Sequence, residues 1–248
     1  GLTGSDLPDY TPLHGQDNWT AQSYNVATPL GVTATLGFDG TQALRFDKVG
    51  PGFGADASRL NDAGFSIPSF AGTETAAYFQ ADFGVGYWGN QLALGFDVGG
   101  NGQIRGNEPG ELGPRLNVGS NDTTTGITVV SAQGTKTKVP LGTAGGTAGG
   151  HWLRLRLAMD FTANGGQGSG SVSYVNLPLG GTTFQPVAGL QDVNLGLDPT
   201  ASDARNPALW NGIWLHMQGA TNQLDDIALG LASEVPVAYC TAKTVLVC

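Results

Sequence analysis

Residues 97–108 read DVGGNGQIRGNE, and their spacing could bind calcium. Asp97 would occupy the first position of a twelve-residue calcium loop, Asn101 the fifth and Glu108 the twelfth. The third position carries a glycine without a ligand atom, and Arg105 places a cation near the ninth. Two interpretations therefore stay open: a Ca²⁺ site formed by Asp97, Asn101 and Glu108, or a glycine-rich hairpin closed by Asx turns.

A second set of side chains could bind sugars. In residues 76–84, 151–161 and 212–218, apolar residues alternate with aromatic and polar ones, so each segment has one apolar face. If these strands share a sheet, their polar faces form a platform on which sugar rings stack and hydrogen-bond. The alternative is that a second layer or a neighbouring subunit covers them. The platform residues would be Trp152, Arg154, Arg156, Trp214, His216, Tyr78, Gln80 and Asp82.

Other catalytic patterns are weak. The four glutamates do not alternate on one strand, as a glycosidase acid–base pair would, and the three histidines lack zinc spacing. No G-x-S-x-G esterase motif is present. Residues 84–89, GVGYWG, match a dinucleotide motif but lie between two strands with no helix after them. We therefore expect a protein that is not an enzyme. A polysaccharide lyase or glycosidase would need a carboxylate pair or a His/Tyr pair in one groove.

The composition favours strands over helices. Of the 248 residues, 40 are glycine, and charged residues make up only 12%, against roughly 25% in an ordinary soluble domain. The helix formers Lys and Glu account for most of the deficit. The net charge of −9 argues against nucleic acid as a partner, because phosphate binding needs a basic surface. No apolar run is long enough to span a membrane.

The elements that must position these residues are antiparallel strands. Period-two alternation with one apolar face recurs along the chain, separated by turn pairs such as Asp39-Gly40 and Asn211-Gly212. A dozen or so short strands without helices predict an all-β, two-sheet antiparallel β-sandwich of jelly-roll type. We expect an N-terminal arm at residues 1–14, the sandwich at 15–230 and a tail at 231–248.

The two cysteines, Cys240 and Cys248, both lie in that tail. A disulfide between them would close a short loop and suits an oxidising compartment. The chain starts at Gly1, which fits a processed N-terminus. Both features predict a secreted or extracellular protein.

Three motifs resemble one superfamily. They are GFDGTQALRFD at residues 37–47, HWLRLRLAMDF at 151–161 and QLDDIALG at 223–230, preceded by Trp19. Together they resemble the laminin-G-like or concanavalin-A-like jelly rolls found in secreted bacterial proteins. The resemblance implies secretion and glycan binding on the concave sheet or loop edges, often with one structural calcium. Other members of such families are glycosidases or lyases, and others only adhere or assemble.

The sequence thus predicts a non-catalytic, secreted β-sandwich module at the cell surface or in the extracellular matrix. Its partner would be a glycan, with Ca²⁺ as the candidate cofactor. The first alternative is a structural subunit that self-associates into a filament or surface layer, since many strand edges carry little lysine to block pairing. The second is a polysaccharide lyase or glycosidase.

Overall fold

A computed structural model describes residues 2–5, 11–24, 30–46, 54–63, 65–67, 70, 74–86, 89–119, 126–144, 151–219, 222–231 and 244–245. These residues contain no α-helix, only strands and short 3-10 turns. The strands are β1 (Thr11–Pro12), β2 (Thr20–Tyr24), β3 (Gly31–Thr33), β4 (Ala43–Phe46), β5 (Gly54–Leu60), β6 (Ala76–Val85), β7 (Gly89–Gly95), β8 (Leu112–Gly119), β9 (Gly126–Val130), β10 (Lys136–Pro140), β11 (His151–Asp160), β12 (Ser169–Asn176), β13 (Gln185–Pro186), β14 (Val193–Asn194), β15 (Gly212–Gln218), β16 (Asn222–Leu231) and β17 (Thr244–Val245).

The strands form two antiparallel sheets. The ten-stranded sheet has the order β1-β3-β4-β16-β6-β11-β12-β13, with β14 also paired to β12 and β17 to β16. The seven-stranded sheet has the order β10-β9-β8-β7-β15-β5-β2. Some neighbours, such as β7 and β8, are consecutive in sequence, whereas others are far apart, such as β16 beside β6 and β15 beside β5. The predicted all-β, two-sheet sandwich is therefore confirmed.

The alternation of apolar and polar residues along the strands explains how the core forms between the sheets. On β11 every second residue from Leu153 to Met159 is buried between the sheets, including Leu155 and Leu157. Phe79 and Phe83 on β6 and Leu215 on β15 lie in the same core. Fully burying one such side chain is worth about 1.5–3 kcal/mol, so the two apolar faces hold the layers together.

The apolar pattern of the sequence does not predict every strand correctly. The alternation of apolar residues in segment 65–70 predicts a strand, but residues 65–67 have no regular structure, although Phe65 and Ile67 are buried. The alternation of apolar residues does not predict strands β2, β5 and β10, because their segments (TAQSY, GADASRL and KTKVP) lack a run of large apolar residues. Two of them, β2 and β10, are edge strands, where little burial is needed.

Both ends of the chain contribute to the ten-stranded sheet. Leu13 is fully buried in the core, Leu2 packs against it, and β1 pairs with β3, so the segment assigned to an arm takes part in the sandwich. At the other end, β17 pairs with β16. Cys240 and Cys248 lie outside the described residues, as does their predicted disulfide. Within the described part, no helix is long and apolar enough to cross a membrane.

Candidate functional site

The structure divides the predicted sugar platform between the two sheets. Tyr78, Gln80 and Asp82 on β6 pair with β11, which carries Trp152, Arg154 and Arg156. Both strands belong to the ten-stranded sheet, whereas Trp214 and His216 lie on β15 of the seven-stranded sheet. The eight residues therefore do not form one surface. Alternation correctly assigned their faces, but it cannot assign a strand to a sheet.

On the ten-stranded sheet these side chains pair with each other. Arg154 donates to both oxygens of Asp82 at 2.6 Å and to Asp226 at 2.8 Å. Arg156 donates to Gln80 Oε1 at 3.0 Å and 2.9 Å, and its guanidinium lies 4.0 Å from the Phe184 ring centroid. This half of the platform is therefore a packed ionic layer in which the arginines bind neighbouring side chains of the same sheet.

That ionic layer contains more carboxylates than its arginine can balance. Burial raises the pKa of Asp82 to about 7, although Arg154 opposes the shift. Burial also raises the pKa of Asp225 to about 6, and the neighbouring Asp226 adds to it. Charged forms are costly in such a site, so these groups are sensitive to pH.

The seven-stranded sheet carries a polar row on its outer face. His216 stands opposite Asp56 on β5 and opposite Gln91 on β7. Gln91 stands opposite Asn117 on β8, and Asp56 stands opposite Gln22 on β2. The row runs at right angles to the strands and crosses five of them, a span of roughly 19 Å at the usual strand spacing.

A cleft of about 300 Å³ opens on this row. It is lined by Tyr24, Asp56, Gln91, Gly106, Asn107, Arg115, Trp214 and His216. The connection between β7 and β8 forms one wall, because Ile104 N–H donates to Ser58 Oγ at 3.1 Å and the Ile104 side chain packs on Ala93 and Trp214. Trp214 is only 3% exposed as a result, and its ring stacks on His216 with 6.0 Å between centroids.

Three cleft residues form a hydrogen-bonded chain. The Tyr24 hydroxyl donates to Asp56 Oδ2 at 2.5 Å, and His216 Nδ1 lies 2.6 Å from Asp56 Oδ1. Burial and the bond to Asp56 raise the pKa of Tyr24 well above its usual range. When Nδ1 carries the proton, a neutral His216 ring keeps its lone pair on Nε2, where it can accept a hydrogen bond.

The predicted calcium loop is closed by its own side chains. Asp97 accepts from the backbone N–H of Asn101 at 3.1 Å and of Gly102 at 2.8 Å. Glu108 accepts from Asn101 Nδ2 and from Arg105 at 3.1 Å. In the described ranges, no three His, Cys, Asp or Glu side chains come together in a way that could hold a metal ion. Calcium binding stays a prediction. It requires Asp97 and Glu108 to release these hydrogen-bond donors and bind the ion instead.

Sequence reasoning found two of the cleft residues, Trp214 and His216, and missed the others. Tyr24 and Asp56 lie on β2 and β5, two of the three strands that lacked a run of large apolar residues. Gln91 and Arg115 occupy the polar face of predicted strands and could have been found from that alternation. Which of them meet depends on strand order, which the sequence does not reveal.

Comparisons with known proteins give the following results. No family model matches the chain, and no curated protein sequence matches it. Among solved structures the chain is similar to arcelin-5, a lectin-like defense protein from Phaseolus vulgaris, with 10% identity, 86% of this chain and 91% of that one covered, and a TM-score of 0.40. It is also similar to an alginate lyase from Alteromonas sp. 272, with 10% identity, coverage of 89% and 91%, and a TM-score of 0.28. Likenesses at this level carry no functional argument, so membership of the laminin-G-like or concanavalin-A-like superfamily stays a prediction.

Proposed function

We propose that the protein is an extracellular, non-catalytic glycan-binding module, and that its binding site is the cleft on the seven-stranded sheet. The observation that supports this is the polar row inside a cleft with aromatic walls. Sugar hydroxyls need donors and acceptors side by side, and Asp56, Gln91, Asn107 and His216 supply both. The cleft volume is at the lower end of the range for small-ligand sites.

The ten-stranded sheet is the weaker candidate surface. Arg154 and Arg156 already bind Asp82, Asp226 and Gln80, and a ligand would have to break those bonds. In the cleft, by contrast, Gln91 and Asn107 side chains line open space. We therefore expect sugar to bind in the cleft and not on the platform that the sequence predicted.

Affinity electrophoresis on a panel of neutral and acidic polysaccharides tests this proposal. Gln91→Ala and His216→Ala should each weaken retention several-fold, since a hydrogen bond is worth about 0.5–1.5 kcal/mol. Trp152→Ala, on the opposite sheet, is the matched control and should bind like the wild type. Loss of binding in Trp152→Ala with retention in both cleft variants would place the site on the other sheet.

A second candidate function is a polysaccharide-active enzyme, and the His216–Asp56–Tyr24 chain is the observation that favours it. Cleavage of a sugar chain needs one group to take a proton and another to give one. His216 could take a proton at Nε2, and Tyr24 could give its hydroxyl proton to the sugar oxygen once the substrate replaces Asp56 as its acceptor. New reducing ends would appear during incubation with the bound polysaccharide and would be lost in His216→Ala and Tyr24→Phe. Binding without any new chain ends would leave the non-catalytic proposal.

A further inference from the structure

Arg115 is a cation in the cleft that forms no ion pair with any residue the structure describes. It lies on the outer face of β8, opposite Ala93 on β7 and Val130 on β9, so its strand neighbours offer no polar partner. Its Nε is buried and has no hydrogen-bond partner, and it makes no ion pair within the described residues. Arg59 and Arg105, in contrast, pair with Asp17 and Glu108.

Such a guanidinium is energetically unfavourable. Burial lowers the pKa of Arg115, and among the described residues no acidic group offsets that shift. Arginine nevertheless remains protonated in proteins, so the positive charge persists without a partner. Partly buried charges that lack a partner are costly for stability and are concentrated at binding sites.

The two ends of the cleft also carry opposite charges. Asp56 on β5 and Arg115 on β8 are separated by β15 and β7, which places them roughly 14 Å apart along the sheet at the usual strand spacing. A negative group on a ligand is repelled at the Asp56 end and attracted at the Arg115 end. Gln91 and Asn117 stand between or beside these charges and offer neutral amide groups, and Asn117 Oδ1 is itself buried without a partner.

We infer that the cleft binds an acidic glycan, and that Arg115 holds an oxyanion on the sugar ring, a carboxylate or a sulfate ester. This inference rests on the proposed glycan-binding function. The planar guanidinium fork matches two oxygens of such a group, and the charge-assisted bonds are roughly twice as strong as neutral ones. The neutral hydroxyls of the sugar then face Asp56 and His216.

Two matched pairs of polymers provide the test by affinity electrophoresis. The first pair is polygalacturonate and its fully methyl-esterified form; the second is a sulfated galactan and its desulfated form. Retention should be at least tenfold stronger for the acidic member of one pair, which also identifies the oxyanion. Arg115→Gln should remove that preference, and Arg115→Lys should keep only part of it, because lysine has no fork.

The control variant is Arg205→Gln, which removes the same charge from a surface pair with Asp203 outside the cleft. It should retain the acidic polymer like the wild type. Equal retention of the acidic and neutral members would overturn the inference while leaving glycan binding intact. If the protein retains only neutral polysaccharides from the wider panel, the inference of an acidic ligand is also overturned and glycan binding still stands. If no polysaccharide is retained at all, the proposed function fails and the inference fails with it.

Thermal unfolding separates a ligand-binding role from a structural one. Arg115→Gln should keep or raise the midpoint, because it removes an uncompensated charge. A midpoint lowered by several degrees, together with unchanged preference for the acidic polymer, would make Arg115 a structural residue and overturn the inference.

Discussion

His216 Nδ1 and Asp56 Oδ1 lie 2.6 Å apart, although 160 positions separate the two residues in the chain. The other oxygen of Asp56 accepts from Tyr24, which lies 32 positions before it. One nearly buried carboxylate on β5 therefore fixes side chains from the strands on both sides of it, β15 and β2. The orientation of His216 toward the cleft depends on this carboxylate, which also adds to the rise that burial causes in the pKa of Tyr24.

Replacing Asp56 should change the titration of Tyr24. Burial and the Asp56 carboxylate both raise the pKa of Tyr24, so Asp56→Asn should lower that pKa part of the way towards the ordinary value of about 10. The measurement is the ¹³Cζ shift of labelled tyrosine followed against pH, with Tyr24→Phe to assign the resonance. A Tyr24 resonance that titrates identically in Asp56→Asn and wild type would contradict the role of this bond.

The connection between β7 and β8 should lift from the sheet in Gly106→Ala. A Cβ at Gly106 would lie 2.7 Å from Trp214 Cζ2, and an indole ring packed under a loop cannot move aside freely. We expect a loss of about 1–3 kcal/mol in the free energy of unfolding and faster amide hydrogen exchange over residues 97–111.

The matched control in the same connection is Gly99→Ala, whose Cβ would be 3.4 Å from Asn101 Nδ2, an ordinary contact. Its exchange rates should stay close to those of the wild type. If the two variants exchange equally, the loop does not rest on Trp214 as described.

The sequence predicted the sandwich because each long strand has one apolar face. Leu153, Leu155 and Leu157 alternate with Arg154 and Arg156, and this pattern specifies a half-buried strand whatever its neighbours are. The weak strands could not be predicted in the same way. The segment GADASRL of β5 is recognisable as a strand only beside β15 and β2, because its inward residues are small alanines.

The site was only partly predictable for the same reason. Whether His216 meets Arg154 or Asp56 depends on which strands are neighbours, and the order of strands in a sheet is set by contacts across the whole chain. Trp214 illustrates a second limit, since it has the outward position of an exposed residue but is buried by a loop that folds back over it. Neither fact follows from local alternation.

The aromatic cluster at one end of the core should be important for stability. The Trp210 ring lies 5.4 Å from that of Phe70 and 5.8 Å from that of Phe161, in edge-to-face arrangements, and its Nε1 donates to the Ala204 carbonyl at 2.7 Å. Trp210→Ala should cost about 3–5 kcal/mol in the free energy of unfolding, measured with urea. Leu179→Ala, at a side chain that is 80% exposed, should change it by less than about 0.5 kcal/mol. Equal values for the two variants would mean that the cluster is not packed as described.

Asp225 should make the protein less stable as the pH rises. Its Oδ2 lies 2.8 Å from Thr41 Oγ1, and the same hydroxyl lies 2.8 Å from the Phe38 carbonyl. One hydroxyl hydrogen cannot serve both acceptors, so a protonated Asp225 that donates to Thr41 satisfies all three groups. This geometry agrees with the pKa of about 6 that burial gives Asp225.

The pKa of Asp225 is raised above the ordinary 3.8, so its protonated form stabilises the fold fully below about pH 4. That stabilisation is lost as the pH rises through about 6. Asp225→Asn keeps a donor for Thr41 at every pH, and it should therefore exceed the wild type in stability at pH 8, by on the order of 2 kcal/mol, and match it near pH 4. Urea unfolding at both pH values measures this difference.

Glu74→Gln removes one carboxylate elsewhere on the chain and should follow the wild-type profile. An Asp225→Asn variant that is no more stable than the wild type at pH 8 would show that Asp225 is held in its charged form.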